Sequence, residues 1–161
     1  MSRWHLPDEA ATQGLAQVLA AHQPPGAVVH LVGDLGAGKS TLARAWLHAL
    51  GVTGTVRSPT YTLVERYPVA GGEALHLDLY RIGDAGELDF LGLDDIAAAL
   101  WLIEWPERGA GVLPTPDLRV ELAIDGEGRS VRVVGSGSRA DAWMAAVASD
   151  DRLSSFPEPN P

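Results

Sequence analysis

Cysteine is absent from the 161 residues, and lysine occurs only once. Without cysteine there is no disulfide, no thiol nucleophile and no cysteine-bound zinc, and the chain suits the reducing cytosol. Long apolar runs are missing too. The longest, Ile96 to Ile103, has eight residues between Asp95 and Glu104, whereas a membrane-spanning helix needs roughly 20. The N-terminal stretch Met1 to Glu9 has no apolar h-region, so no signal peptide is expected. Positive charge is scarce: the formal net charge is −9. Duplex-binding domains are usually basic, because neutralising phosphates supplies most of their affinity. An acidic chain argues against strong autonomous nucleic-acid binding, while leaving room for work beside RNA in a larger assembly. Eleven of the twelve cations are arginine, and the remaining one is Lys39.

What is present fits one domain. About 46% of the residues are apolar, enough to fill a single core at this length. Pro7 and Asp8 can start a helix running to about His22, with Leu15, Val18 and Leu19 on its apolar face. Gln23-Pro-Pro-Gly26 breaks it. Ala27 to Val32 is a continuous apolar run and reads as a buried strand. A glycine-rich turn and a helix from Lys39 to about Leu50 follow, closed by Gly51. Thr60 to Val69 and Glu73 to Tyr80 read as two strands around Ala70-Gly-Gly72. Asp84 to Phe90 and Asp94 to Ala99 read as short helices, and Leu100 to Ile103 as a second buried strand. Leu118 to Ile124 and Ser130 to Val134 alternate around Asp125-Gly-Glu-Gly128, a hairpin-like signal. Arg139 to Ala148 reads as a last helix. Ser149 to Pro161 carries three prolines and few apolar residues. It is expected to be a disordered tail, dispensable for folding, which leaves residues 1–148 as the folded domain.

The strongest signal is Gly33-Asp-Leu-Gly-Ala-Gly-Lys-Ser40. It fits G-x-x-x-x-G-K-[ST] and sits between an apolar strand and a helix. Glycines let the backbone curl until successive N–H groups face phosphate oxygens. The helix N-terminus adds its partial positive charge. In such a P-loop Lys39 bridges the β- and γ-phosphates and the Ser40 hydroxyl ligates Mg²⁺. The expected ligand is therefore Mg-ATP, held by Gly33, Asp34, Leu35, Gly36, Ala37, Gly38, Lys39, Ser40 and Thr41. A P-loop also needs an acid for the metal, usually at the end of a neighbouring buried strand. Leu100-Trp-Leu-Ile-Glu104 offers Glu104, whose alternative is a surface glutamate. Asp78, within an apolar strand-like segment, is a second candidate, and its alternative is an ion pair with an arginine. Thr60, in Ser58-Pro-Thr60, is a candidate switch hydroxyl or an ordinary turn residue. Trp105 either borders the nucleotide or packs in the core. His76 reads as a structural histidine.

Four segments together resemble a known family. Gly33-Asp-Leu-Gly-Ala-Gly-Lys-Ser-Thr41, Ser58-Pro-Thr-Tyr-Thr-Leu-Val64, His76-Leu-Asp-Leu-Tyr-Arg81 and Ile103-Glu-Trp-Pro-Glu-Arg108 occur in the order and near the spacing of the TsaE family (formerly YjeE). The resemblance covers roughly Thr12 to Arg139. It implies an α/β fold: a single P-loop NTPase domain with a mixed, mostly parallel sheet flanked by helices and a C-terminal β-hairpin-like element. It also implies a cytoplasmic ATPase of tRNA threonylcarbamoyladenosine biosynthesis. Two partners, of the TsaD and TsaB families, would carry the threonylcarbamoyl group, and tRNA would be met only through the complex. By motif match, Lys39, Thr60, Asp78 and Glu104 are the catalytic residues, and Ser40, Asp78 and Glu104 are the metal-side residues. Thr12 matches a segment lying near the base. Serine at position 40, where threonine is common in the family, keeps the hydroxyl.

Two other functions use the same residues. A small-molecule or nucleotide kinase must shield the phosphoryl group from water, commonly with an arginine-bearing lid. No arginine cluster or lid-length insertion is apparent. A nucleotide-dependent interaction switch with negligible turnover is the other. Arg81 and Arg108 are the candidate arginines in cis, whose alternative is an ion pair with a nearby acid, and no residue is assigned to position water.

Overall fold

The computed structural model describes residues 1–156. Its strands are β1 (Ser2–Leu6), β2 (Ala27–Val32), β3 (Val64–Val69), β4 (Gly72–Asp78), β5 (Ala98–Glu104), β6 (Leu118–Asp125) and β7 (Gly128–Gly135). Its helices are α1 (Glu9–His22), α2 (Lys39–Ala49) and α3 (Ser138–Ala148). The strands form one sheet in the order β1-β7-β6-β2-β5-β4-β3. The central run β6-β2-β5-β4 is parallel. The hairpins β6–β7 and β3–β4, and the outer pair β1–β7, are antiparallel.

Strand parity decides the layers. Successive side chains point to opposite faces. Ala27, Val29 and Leu31 of β2 and Leu100 and Leu102 of β5 join the core beneath α1, α2 and α3. Val28, Leu75, Leu77 and Ile103 face the opposite side. There they are covered by the 79–97 segment, which contains two 3₁₀ turns, and by Leu113. On the helical side Trp143 meets Trp46 edge-on at 6.0 Å and donates its indole N–H to the Leu19 carbonyl, joining all three helices.

Local chemistry accounts for the boundaries. Asp8 caps α1 by accepting the Ala11 N–H at 2.9 Å, and Pro24 and Pro25 stop the helix from continuing. Asp117 accepts the Val28 N–H and the Arg139 guanidinium, at 2.9 and 2.7 Å, tying the lead-in to β6 to β2 and α3. Burial pushes the Asp117 carboxyl up, but these two partners outweigh it and hold it below its ordinary value. No helix among the described residues is long and apolar enough to cross a membrane.

Several boundaries differ from the sequence expectation. β3 begins at Val64 rather than Thr60, because residues 59–63 form a turn closed by Leu63 N–H to the Pro59 carbonyl at 2.9 Å. The expected helix over Asp94 to Ala99 shrinks to a 3₁₀ turn at Leu93–Asp95, and Ala98 and Ala99 open β5. β1 carries no strong sequence signal and gains its stability by pairing with β7. The expected tail from Ser149 is corrected as far as residue 156. Asp151–Leu153 form a 3₁₀ turn, Leu153 is buried, and Asp150 accepts from His22 of α1 at 2.9 Å. Phe156 packs against the main core. Residues 157–161 lie outside the described residues.

Candidate functional site

The Gly33–Ser40 turn leaves the C-terminal end of β2, a strand flanked on both sides by parallel partners, and feeds directly into α2. That end of a parallel sheet is where ligands bind in open α/β folds. A glycine is required at position 33, since a Cβ there would stand 2.4 Å from the Leu122 carbonyl oxygen of β6. Gly38 caps α2 with φ 106°, in the left-handed region that glycine enters without steric cost.

Lys39 is 5% exposed. Its ammonium donates to the carbonyls of Gly33 and Asp34, the latter at 3.0 Å. It also lies over the Trp105 ring, 4.4 Å from the centroid. Among the described residues no carboxylate comes within ion-pair distance of it. A buried cation with only carbonyls and an aromatic face around it is poorly compensated, and an anion entering the cleft would complete its shell.

The same parity that layers the fold builds the opposite wall. His76 and Asp78 follow Ala74 on the helical face of β4, and Glu104 follows Leu102 on the helical face of β5. Asp78 and Glu104 are register partners in the parallel pair. Ser40 donates its hydroxyl to both oxygens of Glu104, at 3.0 and 3.3 Å. His76 Nε2 meets Glu104 Oε2 at 2.6 Å, with both side chains 2–3% exposed. Asp78 accepts the Tyr80 N–H at 3.1 Å and makes no ion pair with an arginine among the described residues. Trp105 adopts φ 56°, which costs a non-glycine residue on the order of 1–3 kcal/mol. Its ring stacks at a tilt on Tyr80, 4.9 Å between centroids.

These walls enclose a cleft of about 400 Å³. Gly36, Gly38, Lys39, Ser40 and Thr41 line it from the P-loop, Asp78, Glu104 and Trp105 from the strand ends, and Leu35 and Thr60 from the rim. Thr60 is half-buried and hydrogen-bonded to Ser58 at 2.7 Å. Gly33, Asp34 and Ala37 shape the loop through their backbone and do not line the cleft. Thr12 is not in the cleft. It lines an adjoining cavity of about 170 Å³ that shares Gly38, Thr41 and Arg129 with it.

Arg129 is the residue that sequence reasoning missed. It reaches from β7 to donate to the carbonyls of Gly36 and Gly128, at 3.1 and 2.8 Å, and it walls both spaces. No local motif could have flagged it, because 93 residues separate it from Gly36. Arg81 and Arg108 lie over the rings of Tyr61 and Tyr80, and neither forms an ion pair among the described residues.

Among the described residues no group of three or more His, Cys, Asp or Glu side chains could hold a metal. One hydroxyl and two carboxylates, all hard oxygen donors, suit Mg²⁺. That ion usually binds through one or two carboxylates, completed by water and substrate phosphate.

Comparison with known proteins gives the family and the fold. The family described as threonylcarbamoyl adenosine biosynthesis protein TsaE matches residues 6–132. A Haemophilus influenzae protein named tRNA threonylcarbamoyladenosine biosynthesis protein TsaE is 40% identical over 81% of this chain and 87% of its own length. A Bacillus subtilis protein of the same name is 31% identical over 94% of this chain and 97% of its own. The crystal structure of Bacillus subtilis YdiB superposes with a TM-score of 0.76 at 28% identity, covering 91% of this chain and 93% of that one.

Proposed function

The chain belongs to the TsaE family, and on that premise we propose that it is the ATP-binding and ATP-hydrolysing component of the machinery that makes N6-threonylcarbamoyladenosine at position 37 of tRNA, at work in the cytoplasm. The observation that carries this reading is the buried Lys39 ammonium. It lacks a carboxylate partner among the described residues and faces the cleft in which Ser40, Asp78 and Glu104 converge.

Each residue has a chemical part. Lys39 and the backbone of residues 33–41 bind the triphosphate, neutralising charge on the β- and γ-phosphates. Ser40, Asp78 and Glu104 would hold Mg²⁺, which when bound supplies further positive charge against the phosphate oxygens. The adjoining cavity beside Thr12 gives room for the nucleoside end. Trp105 covers the Lys39 ammonium and keeps water from it. Thr60, bonded to Ser58 at the rim, senses the γ-phosphate and carries that signal to the surface. In hydrolysis a water oxygen bonds to the γ-phosphorus, the bridging P–O bond breaks with its electron pair on ADP, and the proton shed by the water passes to the phosphate product or to solvent. Among the described residues the cleft lining contains no glutamine to position that water, and on this reading partners of the TsaD and TsaB families complete the site.

The test combines binding and modification. Wild type should bind a fluorescent ATP analogue, and Lys39→Ala should lose that binding and all measurable hydrolysis while melting at a similar temperature. With both partners, tRNA, ATP, threonine and bicarbonate, wild type should support tRNA modification and Lys39→Ala should not. Full activity in Lys39→Ala would refute the assignment.

A further inference from the structure

His76 reads in the sequence as a structural histidine rather than a ligand or base, and its surroundings give that role a specific content. It is 1% exposed on the helical face of β4. Nε2 lies 2.6 Å from Glu104 Oε2, and Nδ1 has no polar partner among the described residues. A histidine serving only to fill space would bring a needless cost, since an unmet buried polar atom costs about 1–3 kcal/mol. The single polar bond of the ring is to the acid of the metal site.

That bond has a geometric consequence. Glu104 receives Ser40 Oγ at 3.0 Å on Oε1 and 3.3 Å on Oε2, and it receives His76 on Oε2. With Oε2 tethered, the carboxylate cannot turn, and Oε1 stays aimed at Ser40. A serine hydroxyl has one proton and two lone pairs. When Glu104 takes the proton, only lone pairs remain to face the cleft, which is the state a cation requires. We propose that His76 is a positioning residue for the metal site. It holds Glu104 so that Ser40 presents lone pairs to Mg²⁺. The proposal rests on the metal reading given above and extends it one layer outward, to a residue that touches neither nucleotide nor metal.

The experiment measures binding of a fluorescent ADP analogue in Mg²⁺ and in EDTA, with melting curves for each protein. His76→Leu removes the donor. His76→Gln keeps an N–H at nearly the reach of Nε2. His76→Leu should lose about 10–100-fold of the affinity gained from Mg²⁺ while its affinity in EDTA is unchanged. His76→Gln should return to within a few-fold of wild type. Where His76→Leu does not fold, His76→Asn, whose amide is too short to reach Glu104, takes its place against His76→Gln. A variant without the donor that keeps the full Mg²⁺ gain overturns the proposal, as does equal loss in Mg²⁺ and EDTA. A wild type that binds equally in both overturns the metal reading, and the proposal with it.

Discussion

At the scale of single residues, the site sets one buried cation and two carboxylates on the walls of a single cleft. Lys39 is buried against carbonyls, Glu104 is shared by a hydroxyl and an imidazole, and Asp78 accepts from a backbone N–H. Arg129 adds a second cation from the far side of the loop. Arg129→Ala should weaken binding of the ATP analogue by on the order of tenfold, about 1.4 kcal/mol, because a charge-assisted partner for phosphate is removed. Arg129→Lys should recover part of this, since it keeps the charge but not the fork that spans the Gly36 and Gly128 carbonyls. Titration of the analogue into each variant decides the matter, and unchanged affinity in Arg129→Ala removes the residue from the site. The P-loop residues were legible in the sequence because their chemistry is contiguous. Arg129 was not, because nothing near it in the chain marks it.

At the scale of elements, the C-terminal turn packs on the domain where the sequence led to the expectation of a disordered tail. Leu153 is buried against the core, Phe156 approaches Gly14 of α1, and Asp150 is bound by Arg152 and His22. Those hydrogen bonds, from Arg152 first and His22 second, hold the Asp150 carboxyl well below the usual carboxylate range. Leu153→Ala should cost about 2–3 kcal/mol in urea unfolding, and truncation after Ala148 at least as much. Loss of less than about 0.5 kcal/mol in both would restore the tail reading. The sequence misled because three prolines dominate a segment whose two apolar anchors are sparse. β2 carries a second element-level signature. Burial pushes the His30 imidazole down, and Arg119 acts in the same direction, while a hydrogen bond with the Pro114 carbonyl and the charge of Glu107 oppose it. The folded state therefore takes up this proton at lower pH than the unfolded chain does. Stability from His30 is fully present above the ordinary histidine value and falls as pH drops from there through the folded value. Urea unfolding between pH 7 and pH 5 should show a shallower decline in His30→Gln than in wild type. Parallel declines would exclude His30 as a source.

At the scale of the whole molecule, a net charge of −9 disfavours tight tRNA binding by the isolated chain. On the proposed reading the cleft binds phosphate through Lys39 and Arg129 and holds the metal, which leaves Arg81, lying over the Tyr61 ring, as the one further arginine of its lining among the described residues. Hydrolysis by the chain alone should accordingly be slow, and the two family partners should accelerate it. In other P-loop systems an arginine supplied in trans is worth about 10³–10⁵ in rate. Steady-state ATPase with the chain alone, then with both partners, then with tRNA, checks this. Turnover alone that already equals the rate of the complex would defeat it, as would tight tRNA binding by the isolated chain at physiological salt.

By itself the sequence determined the P-loop, the buried strands β2 and β5, the hairpin β6–β7 and the family, because each is written in a short run whose period or spacing has few other physical solutions. Tertiary structure alone decided which of the remaining side chains meet. The strand order β2-β5-β4 and the shared parity of His76, Asp78 and Glu104 bring three acceptors and donors onto the face where α2 begins. The β6–β7 hairpin brings Arg129 over the loop, and α1 offers the surface that gathers the last turn. These are contacts between residues far apart in the chain. Their geometry follows from sheet order and register, which no local run of side chains encodes.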